Sequence, residues 1–242
     1  MKHFGIIGFP LVQSFSARYF NEKFAREGID AEYSLYPMER IEEAMPLLER
    51  LDGMNVTMPY KQEIVGMLDG LDKTAEQVGA VNVICRKIGY NTDCLGFMRS
   101  IREALLPTDK RALVLGTGGA SKAVQYGLRM LGLDVTLVSR TPKDGMLGYE
   151  DLTEEVMRRN QVIVNTTPLG MYPDITTKAP IPYDFIGSGH LLFDCVYNPE
   201  VTGFLAEGKR RGARTMNGIG MLYGQAEEAW KIWSVVGSGA EK

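Results

Sequence analysis

The segment Leu113-Val-Leu-Gly116-Thr117-Gly118-Gly119-Ala120-Ser121 decides the fold. An apolar run ends in closely spaced glycines and opens into a helical pattern over 122–131. Strand, tight turn and helix in that order form the start of a dinucleotide-binding βαβ unit, in which the turn brings backbone N–H groups and a helix N-terminus to a pyrophosphate. The third fingerprint position holds Ser121 where Gly or Ala is usual, so the pattern alone leaves a plain structural turn open.

Outward from this turn, strands over 112–115, 135–138, 162–165 and 191–196 alternate with helices over 122–131 and 152–159. An earlier series has strands over 4–8, 31–36 and 53–57 and helices over 17–27 and 41–51. Such alternation favours parallel sheets covered by helices. A helix over 93–106 connects the two series, and a last helix over 221–234 follows the completed second sheet, so it is expected to return to the first. The fold class is therefore α/β with two domains. The first spans 1–100 and is completed by 221–236, and a Rossmann-type domain spans 101–220. The tail 237–242 is expected to fray.

Composition narrows the function. The chain has 242 residues, with 27 Lys and Arg against 30 Asp and Glu, a formal net charge of −3. Without a basic stripe, this balance argues against nucleic acid as a partner. Apolar runs such as 112–115 and 190–193 are far shorter than the roughly 20 residues of a membrane span. The first residues lack the apolar core of a signal peptide, and the expected location is the cytoplasm. Cys85, Cys94 and Cys195 are odd in number and form no C-x-x-C pair, which fits a reducing compartment. His3 and His190 stand at opposite ends of the chain, so no metal site is expected. Glycine is in excess, 27 of 242 residues, against an average of roughly 7%.

The strand after the glycine turn names the cofactor. An NAD-specific fold has an acidic residue about 20 positions on, for the ribose hydroxyls. Here the strand runs into Ser139-Arg140-Thr141-Pro142-Lys143. A guanidinium at that point can hold a 2′-phosphate, which a carboxylate would repel, so the expected cofactor is NADP.

Three segments of the first series carry polar groups at strand ends. Ser14 and Ser16 precede a helix, where they suit either an N-cap or a bound carboxylate. In Asn55-Val-Thr57-Met-Pro59-Tyr-Lys61, Asn55 and Thr57 share a strand face, and Pro59 suits the first turn of a helix. Lys61 would then lie in that first turn, where the positive end of the dipole disfavours a cation and favours release of its proton. It reads as a proton donor or as a solvated surface lysine. Asn82 ends Gly-Ala-Val-Asn82, and Asp93 follows Asn91-Thr92, either as a helix cap or as a catalytic partner for Lys61.

Taken together, these residues resemble the shikimate dehydrogenase family. The likeness runs from 7 to 229 through S-F-S, N-V-T-M-P-Y-K, G-A-V-N, N-T-D, G-T-G-G-A-S, S-R-T, N-T-T-P-L-G-M, Y-N-P-x-x-T and G-x-G-M-L-x-x-Q, in the family's order. The resemblance implies a substrate domain and an NADP domain facing across a cleft, and reversible reduction of 3-dehydroshikimate to shikimate by NADPH. It implies that Ser14 and Ser16 bind the substrate carboxylate and that Thr57, Lys61, Asn82, Asp93, Tyr197 and Gln225 surround the ring. Lys61 and Asp93 form the implied catalytic pair, with Lys61 moving the proton. For the cofactor, it assigns Gly116, Thr117, Gly118, Gly119 and Ala120 to the pyrophosphate. Ser139, Arg140, Thr141 and Lys143 go to the adenosine phosphate, and Thr166, Cys195, Gly218 and Met221 to the nicotinamide half. Gln13, Ala17, Cys94 and Ser139 depart from the family's usual His, Pro, Gly and Asn, and none removes a proposed chemical group. The expected partner is a small molecule, and the chain is expected to be a monomer or homodimer.

Three other readings can be set against the same residues, and the sequence does not firmly separate the first of them. A quinate or dual-specificity enzyme shares the pattern, and a non-catalytic NADP-binding regulatory module would lack a use for Lys61 and Asp93. A short-chain reductase needs Tyr-x-x-x-Lys after the glycine turn, whereas Tyr19-x-x-x-Lys23 lies far before it.

Overall fold

Strands that are apolar without alternation must be covered on both faces, and this chain builds two sheets of that kind. The computed structural model describes residues 1–12 and 14–236; Gln13 and the tail 237–242 lie outside the described residues. The chain divides into one unit of Met1–Thr92 with Ala226–Lys242 and another of Asp93–Gln225. The sequence boundary at 100 lies some residues later than this division, because the helix that begins at Asp93 packs within the second unit.

The first unit runs β1 (Lys2–Gly8), α1 (Phe15–Glu27), β2 (Ala31–Pro37), α2 (Met45–Arg50), β3 (Gly53–Val56), β4 (Gly70–Leu71), α3 (Lys73–Val78), β5 (Val83–Cys85) and β6 (Ile88–Tyr90). The second runs α4 (Asp93–Ile101), β7 (Arg111–Leu115), α5 (Gly119–Met130), β8 (Asp134–Val138), α6 (Glu154–Arg159), β9 (Val162–Asn165), β10 (Leu191–Asp194), α7 (Gly203–Arg210), β11 (Arg214–Met216) and α8 (Ile219–Val235). The division between the units falls inside α8. Among the described residues no helix is long and apolar enough to cross a membrane.

The second sheet has the order β11-β10-β9-β7-β8 and is parallel throughout. Its order reverses at β7, so the crevice between the carboxyl ends of β7 and β9 is a topological switch point, where open α/β sheets bind ligands. Alternate residues serve opposite faces. Leu113, Leu115, Ile163 and Leu192 pack with Phe204 and Leu205, while Ala112, Val114, Val162, Val164 and Phe193 pack with Phe97, Val124 and Leu128.

The first sheet has the order β2-β1-β3-β5-β6-β4. Strands β2, β1 and β3 are parallel, as the sequence pattern predicts, but β5 runs antiparallel to both β3 and β6. A two-residue hairpin at Arg86 and Lys87, with φ of 51° and 59°, sets β6 antiparallel to β5. That geometry is usually signalled by Asn-Gly, so this hairpin carries no sequence signal. One predicted helix is broken and another starts late. Pro46 restarts the 41–51 stretch, giving a 3-10 turn at Ile41–Ala44 before α2, and Thr153 caps α6 after a 3-10 turn at Tyr149–Asp151.

The carboxyl half of α8, from Ala226, packs in the first unit, while its first turns belong to the second. Ala226, Ala229 and Trp233 join Phe4, Ile6, Phe20 and Phe24 in one core. The Trp233 indole donates to the Ile84 carbonyl at 3.1 Å and lies against Gly53, where an added Cβ would overlap the ring. A Gly53→Ala substitution is therefore expected to lower the urea midpoint, at a cost of about 1–3 kcal/mol. An unchanged midpoint would contradict this packing.

Candidate active site

In the first unit the candidate residues gather where β1 and β3 end. Gly8, the last residue of β1, has no room for a Cβ because the Thr57 side chain lies against it. Ser14 is the N-cap of α1, its Oγ accepting from Ser16 N–H at 3.1 Å. The cap leaves the Ser14 hydroxyl hydrogen available for a ligand as well. Ser16 is buried beside Tyr33. Burial pushes the Tyr33 phenol well above its ordinary value, and the Ser16 hydroxyl bonded to it opposes that shift.

A line of buried hydrogen bonds continues from Tyr33. Its hydroxyl donates to Asn55 Oδ1 at 2.6 Å, and Asn55 Nδ2 donates to the Asn82 carbonyl at 3.0 Å. The Asn82 carboxamide then exchanges bonds with Thr92, accepting from its N–H at 2.7 Å and donating to its Oγ1 at 3.0 Å. This pair fixes which end of the Asn82 amide carries its hydrogens.

The environment of Lys61 differs from the sequence expectation. Residues 58–62 form turns, and the helix that follows, Glu63–Met67, is a short 3-10 helix beginning after Lys61. The Lys61 carbonyl accepts from Val81 N–H at 2.7 Å, which holds Lys61 beside the segment carrying Asn82. The dipole argument for Lys61 has no helix to act through.

Asp93, Tyr197 and Gln225 belong to the second unit. Asp93 stands in the first turn of α4, with its side chain buried. An added Cβ at Gly96 would come within 2.6 Å of the Met221 carbonyl and 2.7 Å of Gln225 N. The missing side chain lets α4 lie directly on α8, so Asp93 and Gln225 are carried by adjoining turns. Gln225 Nε2 donates to the Leu222 carbonyl at 2.9 Å, and Tyr197 lies exposed just beyond β10.

The glycine turn follows β7. Gly116 has φ +106°, a conformation that side-chain-bearing residues avoid, and its Cβ position lies 2.9 Å from Thr166 Oγ1. Ser121 accounts for its own departure from the fingerprint: its buried hydroxyl donates to the Gly116 carbonyl at 2.6 Å and holds the turn closed. Helices α1, α3, α6 and α7 are capped by Ser14, Asp72, Thr153 and Thr202, whereas at α5 the cap position is Gly118, which offers no side chain. Nothing lies within 4 Å of a Cβ built at Gly118. Uncapped N–H groups above open space fit a pyrophosphate. Arg140, Thr141 and Lys143 are exposed after the neighbouring strand β8, where Ser139 Oγ accepts from Thr141 N–H at 3.1 Å. These groups fit a 2′-phosphate.

Thr166 follows β9 and donates through Oγ1 to the Leu115 carbonyl at 2.6 Å. Gly218 follows β11, where a Cβ would overlap the Cys195 carbonyl, and Met221 is buried in the first turn of α8. Sequence reasoning gave no role to Asn165, Asp194 and Thr202, which form a buried cluster beneath these loops. The available signal was a carboxylate ending the apolar run Leu191-Leu-Phe-Asp194.

Fold and site define a two-unit α/β protein with a Rossmann-type nucleotide-binding unit. Comparison with known proteins narrows this class. The family profile for the shikimate dehydrogenase substrate binding domain matches residues 6–84. Shikimate dehydrogenase (NADP+) from Geobacillus kaustophilus is 35% identical over 256 residues, spanning 96% of this chain and 92% of that protein. The crystal structure of shikimate dehydrogenase from Aquifex aeolicus has a TM-score of 0.85 at 35% identity, covering 99% of this chain and 97% of that one. The Thermus thermophilus enzyme in complex with NADP(H) and shikimate has a TM-score of 0.85 at 28% identity, covering 97% and 94%. The chain belongs to the shikimate dehydrogenase family.

The Asp194 carboxyl is pushed up to about 6 by burial, against an opposing pull from hydrogen bonds donated by Thr202, Val196 and Asn165. Its folded value lies above its unfolded value, so the folded state holds the proton more tightly. The stabilisation is complete below about pH 4 and is lost as pH rises to about 6, by about 3 kcal/mol. Urea titrations between pH 4 and 7 are expected to show this fall in the wild type and a flatter profile in Asp194→Asn; equal slopes would contradict the assignment.

Proposed function

We propose that this chain catalyses the reversible NADPH-dependent reduction of 3-dehydroshikimate to shikimate, a step in aromatic amino-acid biosynthesis, as a cytoplasmic monomer or homodimer. One observation carries the reading: the Geobacillus shikimate dehydrogenase (NADP+) matches 96% of the chain, and every side chain that the family resemblance assigns to chemistry is present. The first unit carries Ser14, Ser16, Thr57, Lys61 and Asn82 for the substrate, and the second carries the NADP site together with Asp93, Tyr197 and Gln225.

Ser14 and Ser16 take the substrate carboxylate at the N-terminus of α1, where hydroxyls and the helix dipole both favour an anion. Thr57, Asn82, Tyr197 and Gln225 orient the ring and its hydroxyls, lowering the barrier by alignment. Lys61 gives its proton to the carbonyl oxygen as charge develops there, and takes it back in the reverse direction. Asp93 accepts a hydrogen bond from the substrate hydroxyl and orients it. Backbone N–H groups from Gly116 to Ala120 hold the pyrophosphate, and the segment from Ser139 to Lys143 holds the 2′-phosphate. Thr166, Cys195, Gly218 and Met221 border the nicotinamide half. When bound, the cofactor supplies the hydride.

The reading is tested by following reduced-cofactor absorbance with shikimate and with quinate, each with NADP+ and with NAD+. Shikimate with NADP+ is the expected best pair; faster turnover of quinate makes the chain a quinate enzyme instead. Lys61→Ala is expected to lower turnover by about 10²- to 10⁴-fold with little change in shikimate affinity. Turnover equal to wild type would remove Lys61 as the proton donor. Arg140→Ala is expected to reduce the preference for NADPH over NADH by roughly 10- to 100-fold, the loss of a charged hydrogen bond. Comparable wild-type efficiency with both cofactors would refute that role.

A further inference from the structure

We infer that Asp194 is a positioning residue for the dinucleotide, fixing through one buried carboxylate the loops that leave β9, β10 and β11. The inference rests on the proposed reading that these loops border the cofactor's nicotinamide half. Asp194 is fully buried at the end of β10, and among the described residues no Lys or Arg forms an ion pair with it. A carboxylate in that setting is costly unless its oxygens are fully engaged. Three donors engage them. Oδ1 accepts from Asn165 Nδ2 at 2.9 Å and from Val196 N–H at 3.0 Å, and Oδ2 accepts from Thr202 Oγ1 at 2.6 Å.

Each donor leads to a loop. Asn165 Oδ1 accepts from Thr167 N–H at 3.1 Å and from Thr167 Oγ1 at 2.7 Å, which shapes the exit from β9 around Thr166. The bond to Val196 N–H turns the chain out of β10, so the strand stops at Asp194 rather than at Val196. The Val196 carbonyl then accepts from Gly218 N–H at 3.1 Å, which ties in the exit from β11. Gly218 lies so close to the Cys195 carbonyl that a Cβ would overlap it. Thr202 Oγ1 also accepts from Leu205 N–H at 3.3 Å and thereby caps α7. Thr166, Cys195 and Gly218 therefore hang from one hub, while Asp194 itself reaches no ligand. An apolar residue at 194 would leave the Asn165 amide and the Val196 N–H buried without acceptors, and the loops would have to move to find them.

The test uses the full chain, measuring NADP+ and shikimate dissociation constants and steady-state kinetics. Asp194→Ala is expected to raise the KM for NADPH and the Kd for NADP+ at least tenfold, with shikimate affinity within about twofold of wild type. Asp194→Asn, whose Oδ1 can still accept from both donors, is expected to restore both constants to within about threefold. A folded Asp194→Ala with wild-type NADP+ affinity overturns the inference, as does an Asp194→Asn as impaired as the alanine variant. Should Asp194→Ala fail to fold by circular dichroism, Asn165→Leu cuts the β9 arm alone, and wild-type cofactor constants there overturn it equally. Absence of NADP+ binding by the wild type overturns the functional reading together with this inference, whereas wild-type binding that Asp194→Ala leaves unchanged overturns the inference alone.

Discussion

Burial of the central strands on both faces is the constraint on which the rest of the structure depends. From Phe4 to Gly8, and through β7, β9 and β10 apart from the exposed first residue of β7, the backbone is sealed above and below by apolar side chains. No room is left along these strands for solvent-exposed chemistry. Polar groups can appear only where a strand ends, and parallel strands end on the same side. Ser14, Thr57, Gly116 and Thr166 all follow the carboxyl ends of central strands for this reason. Asn55 and Asp194, which lie within strands, are tolerated because each has its hydrogen bonds satisfied within its own unit.

The two units solve the same local problem alike. In each, a glycine at the exit of the central strand faces a threonine at the exit of its neighbour: Gly8 meets Thr57, and Gly116 meets Thr166. A side chain at either glycine would force the two exits apart. What differs is the helix that follows. Ser14 caps α1 with a hydroxyl, which suits a small carboxylate, whereas α5 starts with no side chain over its first N–H groups, which suits a bulkier diphosphate.

Legibility in the sequence followed the same physics. The β7 turn, the parallel run of the second sheet and the return of α8 were readable because apolar strands, glycine turns and amphipathic helices are each dictated by local residue chemistry. The antiparallel strands β5 and β6 were not, because Arg86 and Lys87 turn the chain without the usual turn residues. Lys61 was assigned to a helix because Pro59 suits a helix start, yet a distant N–H, from Val81, takes its carbonyl. Ser121 looked like a defect in the glycine motif until its hydroxyl was found to lock the turn. The Asp194 hub was invisible because Asn165, at the end of β9, and Thr202, the cap of α7, meet Asp194 only in the folded chain.

The placement of Trp233 bears on how the chain is made. The first core holds Phe4 and Phe20 from the beginning of the chain, and it is complete only when Ala226, Ala229 and Trp233 have been added. Every strand of the second sheet lies between those two groups of residues. The carboxyl half of α8 is therefore made after every strand of both sheets, and until it docks the first sheet lacks one cover and exposes Phe4 and the face around Gly53 to solvent. The unit begun first is thus finished by a segment made after the whole of the second sheet, and a chain cut before Trp233 would keep that face sticky.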